Sequence, residues 1–168
     1  MKRVSFLVSM VLLAGTAVGQ KCVVDWDHDA DFSHYKTYAW MESRNPAPEL
    51  SHKRIIEAVD KQMTAKGLQK VEGGKSDLLV VYEAGAKERV SVQGYDYGYG
   101  YRRFGGGMVH YDTYSYTDAT LTVSLVDAPK KALVWRGTAS DTLSDSPEKN
   151  QKKLSKATEK LFKKYPPK

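Results

Sequence analysis

The sequence predicts an α+β domain, an antiparallel sheet of about six strands with two helices packed on one face. Three observations carry this expectation. The stretch 121–140 alternates Leu121, Val123 and Leu125 with Thr122, Ser124 and Val126, turns through Asp127-Ala128-Pro129-Lys130-Lys131, and resumes with Leu133-Val134-Trp135. That is the signature of an antiparallel hairpin. Two segments instead repeat their apolar residues at three- and four-residue steps, the mark of amphipathic helices. The helices stand apart from most of the strands, and each has one apolar face, so both pack on one side of a sheet. The predicted order is β-β-α-β-β-(long loop)-β-β-α.

The chain has 168 residues. Met1-Lys2-Arg3, the apolar run Phe6–Leu13 and the small-residue exit Ala17-Val18-Gly19 are the three parts of a secretory signal peptide in their correct order. The apolar run is shorter than the roughly 20 residues a membrane span needs. Cleavage is expected after Gly19, leaving residues 20–168 as one domain with a net charge of +4 in place of +6. That mild excess gives no reason to expect nucleic acid. Cys22 is the only cysteine, so no intramolecular disulfide forms. A cysteine just after a signal peptide is also a site of bacterial lipid attachment. Gln20 and Lys21 stand where that processing normally finds Gly or Ala, so ordinary cleavage is the expectation and lipidation of Cys22 the alternative.

Val23–Trp26 reads as a short strand. The Asp25-Trp26-Asp27-His28-Asp29-Ala30-Asp31 run that follows superficially resembles a calcium loop. An EF-hand loop needs Gly at its sixth position and Glu at its twelfth. Counted from Asp25 those positions hold Ala30 and Lys36; from Asp27 they hold Phe32 and Tyr38. The run is expected to be an Asp-rich turn, and no metal site is assigned. Thr37–Trp40 is a second strand on its aromatic content, closed off by Pro46 and Pro48. Ile55, Ile56, Val59 and Met63 mark a helix over 51–66, with Gly67 at its C-terminal end. Leu68–Glu72 is expected to be a short strand. Asp77–Glu83 is a continuous apolar run and is expected in the middle of the sheet.

Residues 88–117 differ in composition. Seven of the eleven tyrosines fall here among glycines, including Gly105-Gly106-Gly107. Glycine at this density resists packing, so a long loop is expected. Tyr95, Tyr97, Tyr99 and Tyr101, with Arg102 and Arg103, are the candidate binding residues, through ring stacking and cation–π contacts. The bland alternative is a low-complexity insertion or loose hairpin without a ligand. After the 121–140 hairpin, Asp145-Ser146-Pro147-Glu148 announces the last helix: a cap, Pro in the first turn and an acid at the positive end of the dipole. Leu154, Ala157, Leu161 and Phe162 form its stripe, and lysines occupy the rest. Trp135 is expected to anchor the core. Arg136-Gly137 is where the strand should bulge or exit.

No catalytic residues are assigned. No serine lies in G-x-S-x-G, no histidines have H-E-x-x-H spacing, and Cys22 sits beside the expected mature terminus. No cofactor is expected.

Val24-Asp25-x-Asp27 with Ala30-Asp31-Phe32-Ser33-x-Tyr35-Lys36-Thr37-Tyr38-Ala39-Trp40 resembles the opening of the bacterial domain-of-unknown-function family numbered 4136. Lys66-Gly67-Leu68, Ser76-Asp77-Leu78-Leu79-Val80, Val126-Asp127-Ala128, Val134-Trp135-Arg136-Gly137 and Tyr165-Pro166-Pro167 follow in matching order. The resemblance implies a secreted or lipid-anchored envelope protein of Gram-negative bacteria with no assigned activity. It supplies no catalytic residues, and Gln20-Lys21 departs from its lipoprotein members. The expected function is that of a non-enzymatic cell-envelope protein, a binding or scaffolding module for an unidentified envelope protein or ligand, periplasmic or secreted. Membrane association is expected only with lipidation at Cys22. Two alternatives are a metal-dependent hydrolase using Asp25–Asp31 and an anionic-surface binder using the lysine-rich C-terminal helix.

Overall fold

The computed structural model describes residues 21–43, 45–72, 75–95 and 110–167. The expected signal peptide, 1–19, lies outside them. Among these residues six strands form one sheet: β1 (Lys21–Trp26), β2 (Thr37–Trp40), β3 (Gln69–Lys70), β4 (Leu78–Tyr95), β5 (His110–Asp127) and β6 (Ala132–Thr142). A 3-10 turn over Phe32–His34 precedes β2; helix α1 (Glu49–Ala65) follows it, and α2 (Pro147–Phe162) closes the chain. The strand order is β1-β6-β5-β4-β2-β3.

The α+β class, the six strands and the two helices are as expected; the purely antiparallel sheet is not. β2 runs parallel to both β3 and β4, so the sheet is mixed. The reason is the helix between them. A strand that leaves the sheet, crosses through α1 and returns beside itself must come back parallel. Alternation within a strand carries no information about that direction.

The predicted loop 88–117 also needs correcting. β4 and β5 pair without a break from Leu78↔Asp127 to Tyr95↔His110, so 88–95 and 110–117 are strand. Val90 and Val92 alternate with Arg89 and Ser91, and Tyr114 and Tyr116 with Thr113 and Ser115, which are β-forming patterns. The glycine-rich composition averaged over 30 residues had hidden them. The remaining residues, 96–109, lie outside those described.

The core lies between one sheet face and both helices. Leu78, Val80 and Tyr82 of β4, Leu121, Val123 and Leu125 of β5 and Val134 and Trp135 of β6 are buried against Ile55, Val59 and Met63 of α1 and Ala157, Leu161 and Phe162 of α2. α1 ends as its sequence requires: Gly67 takes φ +82°, where a side chain would be strained. α2 begins on Ser146, whose hydroxyl accepts from Lys149 N, with Pro147 next. The irregularity in β6 falls at Val134, not at Gly137. Leu125 faces Trp135 and Val126 faces Leu133, so the extra residue turns Val134 and Trp135 to the same buried side. Gly137 has a different reason: the Trp135 ring lies across its backbone.

Candidate functional site

The sheet's buried face changes character along its length. At one level stand Val80, Leu125 and Trp135; two levels further along stand Ala84, Leu121 and Ala139, and then Ala86, Ala119 and Asp141. The side chains shrink while the first turns of both helices still overhang them. The result is a groove of about 490 Å³, floored mainly by Ala84, Ala86, Ala119 and Ala139, and walled by Ile55 of α1 and Leu154 of α2. That volume lies in the range of small-molecule sites, ~300–1,000 Å³. Its lining is predominantly apolar. Its polar lining includes Ser51 and Arg54 from α1, and Gln151 and Lys153 from α2. Lys153 Nζ reaches Asp141 Oδ1 at 3.3 Å and donates to the Thr142 carbonyl.

One wall is the segment 45–48. Tyr82, itself buried, secures it: its hydroxyl accepts from Ala47 N at 3.1 Å and shares a 2.6 Å hydrogen bond with His52 Nδ1. Ser43 Oγ donates to the Tyr82 carbonyl at 2.7 Å. The far side of this wall is a second depression, lined by Trp40, Glu49, His52 and Ile56.

The acidic residues that the sequence made conspicuous are tied into the frame. Asp25 and Asp27 accept from the neighbouring backbone N–H groups of Trp26 and Asp29. Asp31 accepts from Ser33 N and pairs with His34. The Ser33 hydrogen bonds hold the Asp31 carboxyl below the usual range. Among the described residues, no three His, Cys, Asp or Glu side chains are grouped as metal ligands. Asp77 Oδ2 accepts from Lys36 N, Thr37 N and Thr37 Oγ1 at 2.8–2.9 Å. Those bonds, Lys36 N foremost, lower its carboxyl. Asp127 accepts from Lys130 N and from the Tyr35 hydroxyl at 2.9 Å, and Lys130 N chiefly lowers it. Burial, then this same bond, pushes the Tyr35 hydroxyl up to about 12. Asp60 accepts from Tyr38 Oη and Trp40 Nε1. Tyr35, Thr37, Tyr38, Trp40, Asp77 and Asp127 all belong to the motifs quoted above, and each fixes one segment to another.

Of the predicted binding residues, Tyr97, Tyr99, Tyr101, Arg102 and Arg103 lie outside the described residues, as does the side chain of Tyr95, the last residue of β4. Cys22 is half-buried in β1, paired with Ala139 and packed towards the core. The lysines of α2 other than Lys153 are exposed, opposite its buried stripe. Sequence reasoning missed the groove. Its signal was the run of alanines at inward positions 84, 86, 119 and 139, where a packed sheet would carry larger residues.

No curated protein matches the chain. Two solved structures are similar to it in part. A PDZ domain protein from Parabacteroides distasonis matches with a TM-score of 0.58 and 16% identity, over 88% of this chain and 35% of that one. This chain thus spans about a third of that protein's length. A PelC dodecamer from Paraburkholderia phytofirmans matches with a TM-score of 0.48 and 14% identity, over 84% of this chain and 95% of that one. At 16% identity the likeness to the PDZ domain protein is one of fold alone. With residues 22–167 matching the family described as domain of unknown function (DUF4136), the chain belongs to that family.

Proposed function

We propose that this is a non-enzymatic cell-envelope protein that acts as a binding module, with the alanine-floored groove as its ligand site. The groove itself carries the proposal. A folded domain gains stability by filling its core, yet here two levels built mainly of alanine leave a space beneath the helices' first turns. The ligand is a small apolar or amphipathic molecule, its apolar body on the alanines and its polar end at Ser51, Arg54 and Gln151. The aromatic stretch from Tyr95 to Tyr101, with Arg102 and Arg103, is a second contact surface in this proposal.

The envelope location rests on the Met1–Gly19 signal sequence. The packing of half-buried Cys22 against the core supports cleavage before Gln20 over lipidation. Intact mass of the protein from its native cells distinguishes the two. For the groove, the probe is 1-anilinonaphthalene-8-sulfonate, an apolar anion whose fluorescence rises on burial. The wild-type protein should bind it saturably. Ala119→Phe, which fills the groove from a half-exposed position, should abolish the binding and leave the fold unchanged. Equal binding by Ala119→Phe would overturn the assignment.

A further inference from the structure

Most of the sheet's open edges are guarded. β3 has only two residues, and β1 carries Lys21 and Asp25 along its six. Short edges and charges are the usual devices against pairing with another chain. The outer part of β4 is long, and its charges, Lys87, Glu88 and Arg89, stop short of its last six residues. Its other neighbour, β2, pairs only with Leu78–Val80, so from Ala84 onward its outer edge has no partner strand among the described residues. From Val90 to Tyr95 it holds no charge, no proline and no bulge. Val90 and Val92 are 63% and 59% exposed, on the same face as the core.

The direction of its backbone groups follows from two bonds. The Val80 carbonyl accepts from Met41 N, and the Tyr82 carbonyl from Ser43 Oγ, so even-numbered residues of β4 face the outer edge. With no register break, this alternation runs on to Gly94. We propose that this edge, Glu88–Gly94, pairs antiparallel with the same edge of a second copy about a two-fold axis at Ser91. Val90 then lies opposite Val92 of the second copy, and both pairs of valines form one patch on the inner face. Arg89 lies opposite Gln93 and Glu88 opposite Gly94, so no like charges meet. The edge is complementary to itself, and register follows the apolar pattern. The equivalent edge of β5 is less open: Leu143 N already donates to the Thr117 carbonyl, and a strand paired there would run into the body. The result is a four-stranded antiparallel sheet, β5-β4-β4-β5, across the dimer.

The test is sedimentation velocity of the purified protein over a wide concentration range. The wild type should approach twice the chain mass. Val92→Pro removes an N–H that faces outward and spares the bonds to β5, which come from odd-numbered residues. Val90→Lys places a charge in the patch. Each should raise the dissociation constant at least about tenfold, or 1.4 kcal/mol, with an unchanged far-ultraviolet spectrum. In a Cys22→Ser background, Ser91→Cys should cross-link to itself under mild oxidation. It sits in a non-hydrogen-bonded pair, with Cα atoms ~4.5 Å apart, within disulfide reach. Val90→Cys, opposite a valine, should not. If Val92→Pro fails to fold, the cysteine pair decides. A protein monomeric at every concentration, or a dimer in which Ser91→Cys stays uncross-linked, overturns the proposal.

Discussion

Gly137→Ala should be among the most damaging small substitutions in this fold. Gly137 lies in β6 between Val123 and Val24. An added Cβ would stand 2.6 Å from Cη2 of Trp135 and 3.2 Å from a methyl of Leu161. Carbon atoms pack best at ~3.5–4.0 Å, so the indole must retreat by about 1 Å. It has nowhere to go. Trp135 is fully buried, with the Phe162 and Tyr165 rings 5.1 and 5.9 Å away. Overpacking a core costs ~1–3 kcal/mol, and the rigid ring places this case near 3 kcal/mol. At ~2–4 °C per kcal/mol for a chain of this size, the melting temperature should fall by about 6–12 °C. Gly85→Ala is the matched control: nothing lies within 4 Å of its added Cβ, and the substitution should stabilise by about 0.4–1 kcal/mol. Calorimetry of both variants checks the pair. A Gly137→Ala melting temperature equal to wild type, or an equal fall for Gly85→Ala, would refute the packing argument.

Three further outcomes follow from the frame of hydrogen bonds. Tyr35→Phe removes the hydroxyl that bonds the buried Asp127 carboxylate and should cost ~1–3 kcal/mol in urea denaturation. Ser146→Ala removes the α2 cap and should cost ~1 kcal/mol; a loss under a few tenths would show that Pro147 alone starts the helix. Asp77 and Asp127 both have lowered carboxyls in the folded state. Their contribution is therefore complete above the unfolded value of ~3.9 and is lost as pH falls through the lower folded values. The urea midpoint should drop from about pH 5 to about pH 2, and less steeply in Asp77→Asn with Asp127→Asn; parallel profiles would assign the acid sensitivity elsewhere.

Local features were legible because local physics sets them. The β5–β6 hairpin, the Ser146-Pro147 start of α2 and the Gly67 stop of α1 each depend on a few adjacent residues. The parallel pairing of β2 with β4 was not legible, because it depends on where α1 delivers the chain. The role of Asp127 was hidden for the same reason: its partner Tyr35 is 92 positions away. Composition misled at 88–117, where glycines clustered in the middle of the stretch outweighed the alternation at its ends. The groove was least legible of all. It is a space, and it arises from alanines on three strands meeting the ends of two helices.

The strand order has a consequence for how the chain acquires its shape. Among the described residues β1 has only β6 as a neighbour, with Lys21 opposite Ser140. A ribosome delivers the first strand early and its sole partner late, across on the order of a hundred intervening residues. Until then Val24 and Trp26 have no sheet to join, and the β6 edge they will cover stays bare. Such distant pairings slow folding. Docking of β1 thus waits for β6, and this side of the sheet is completed by the first and last of the described strands together.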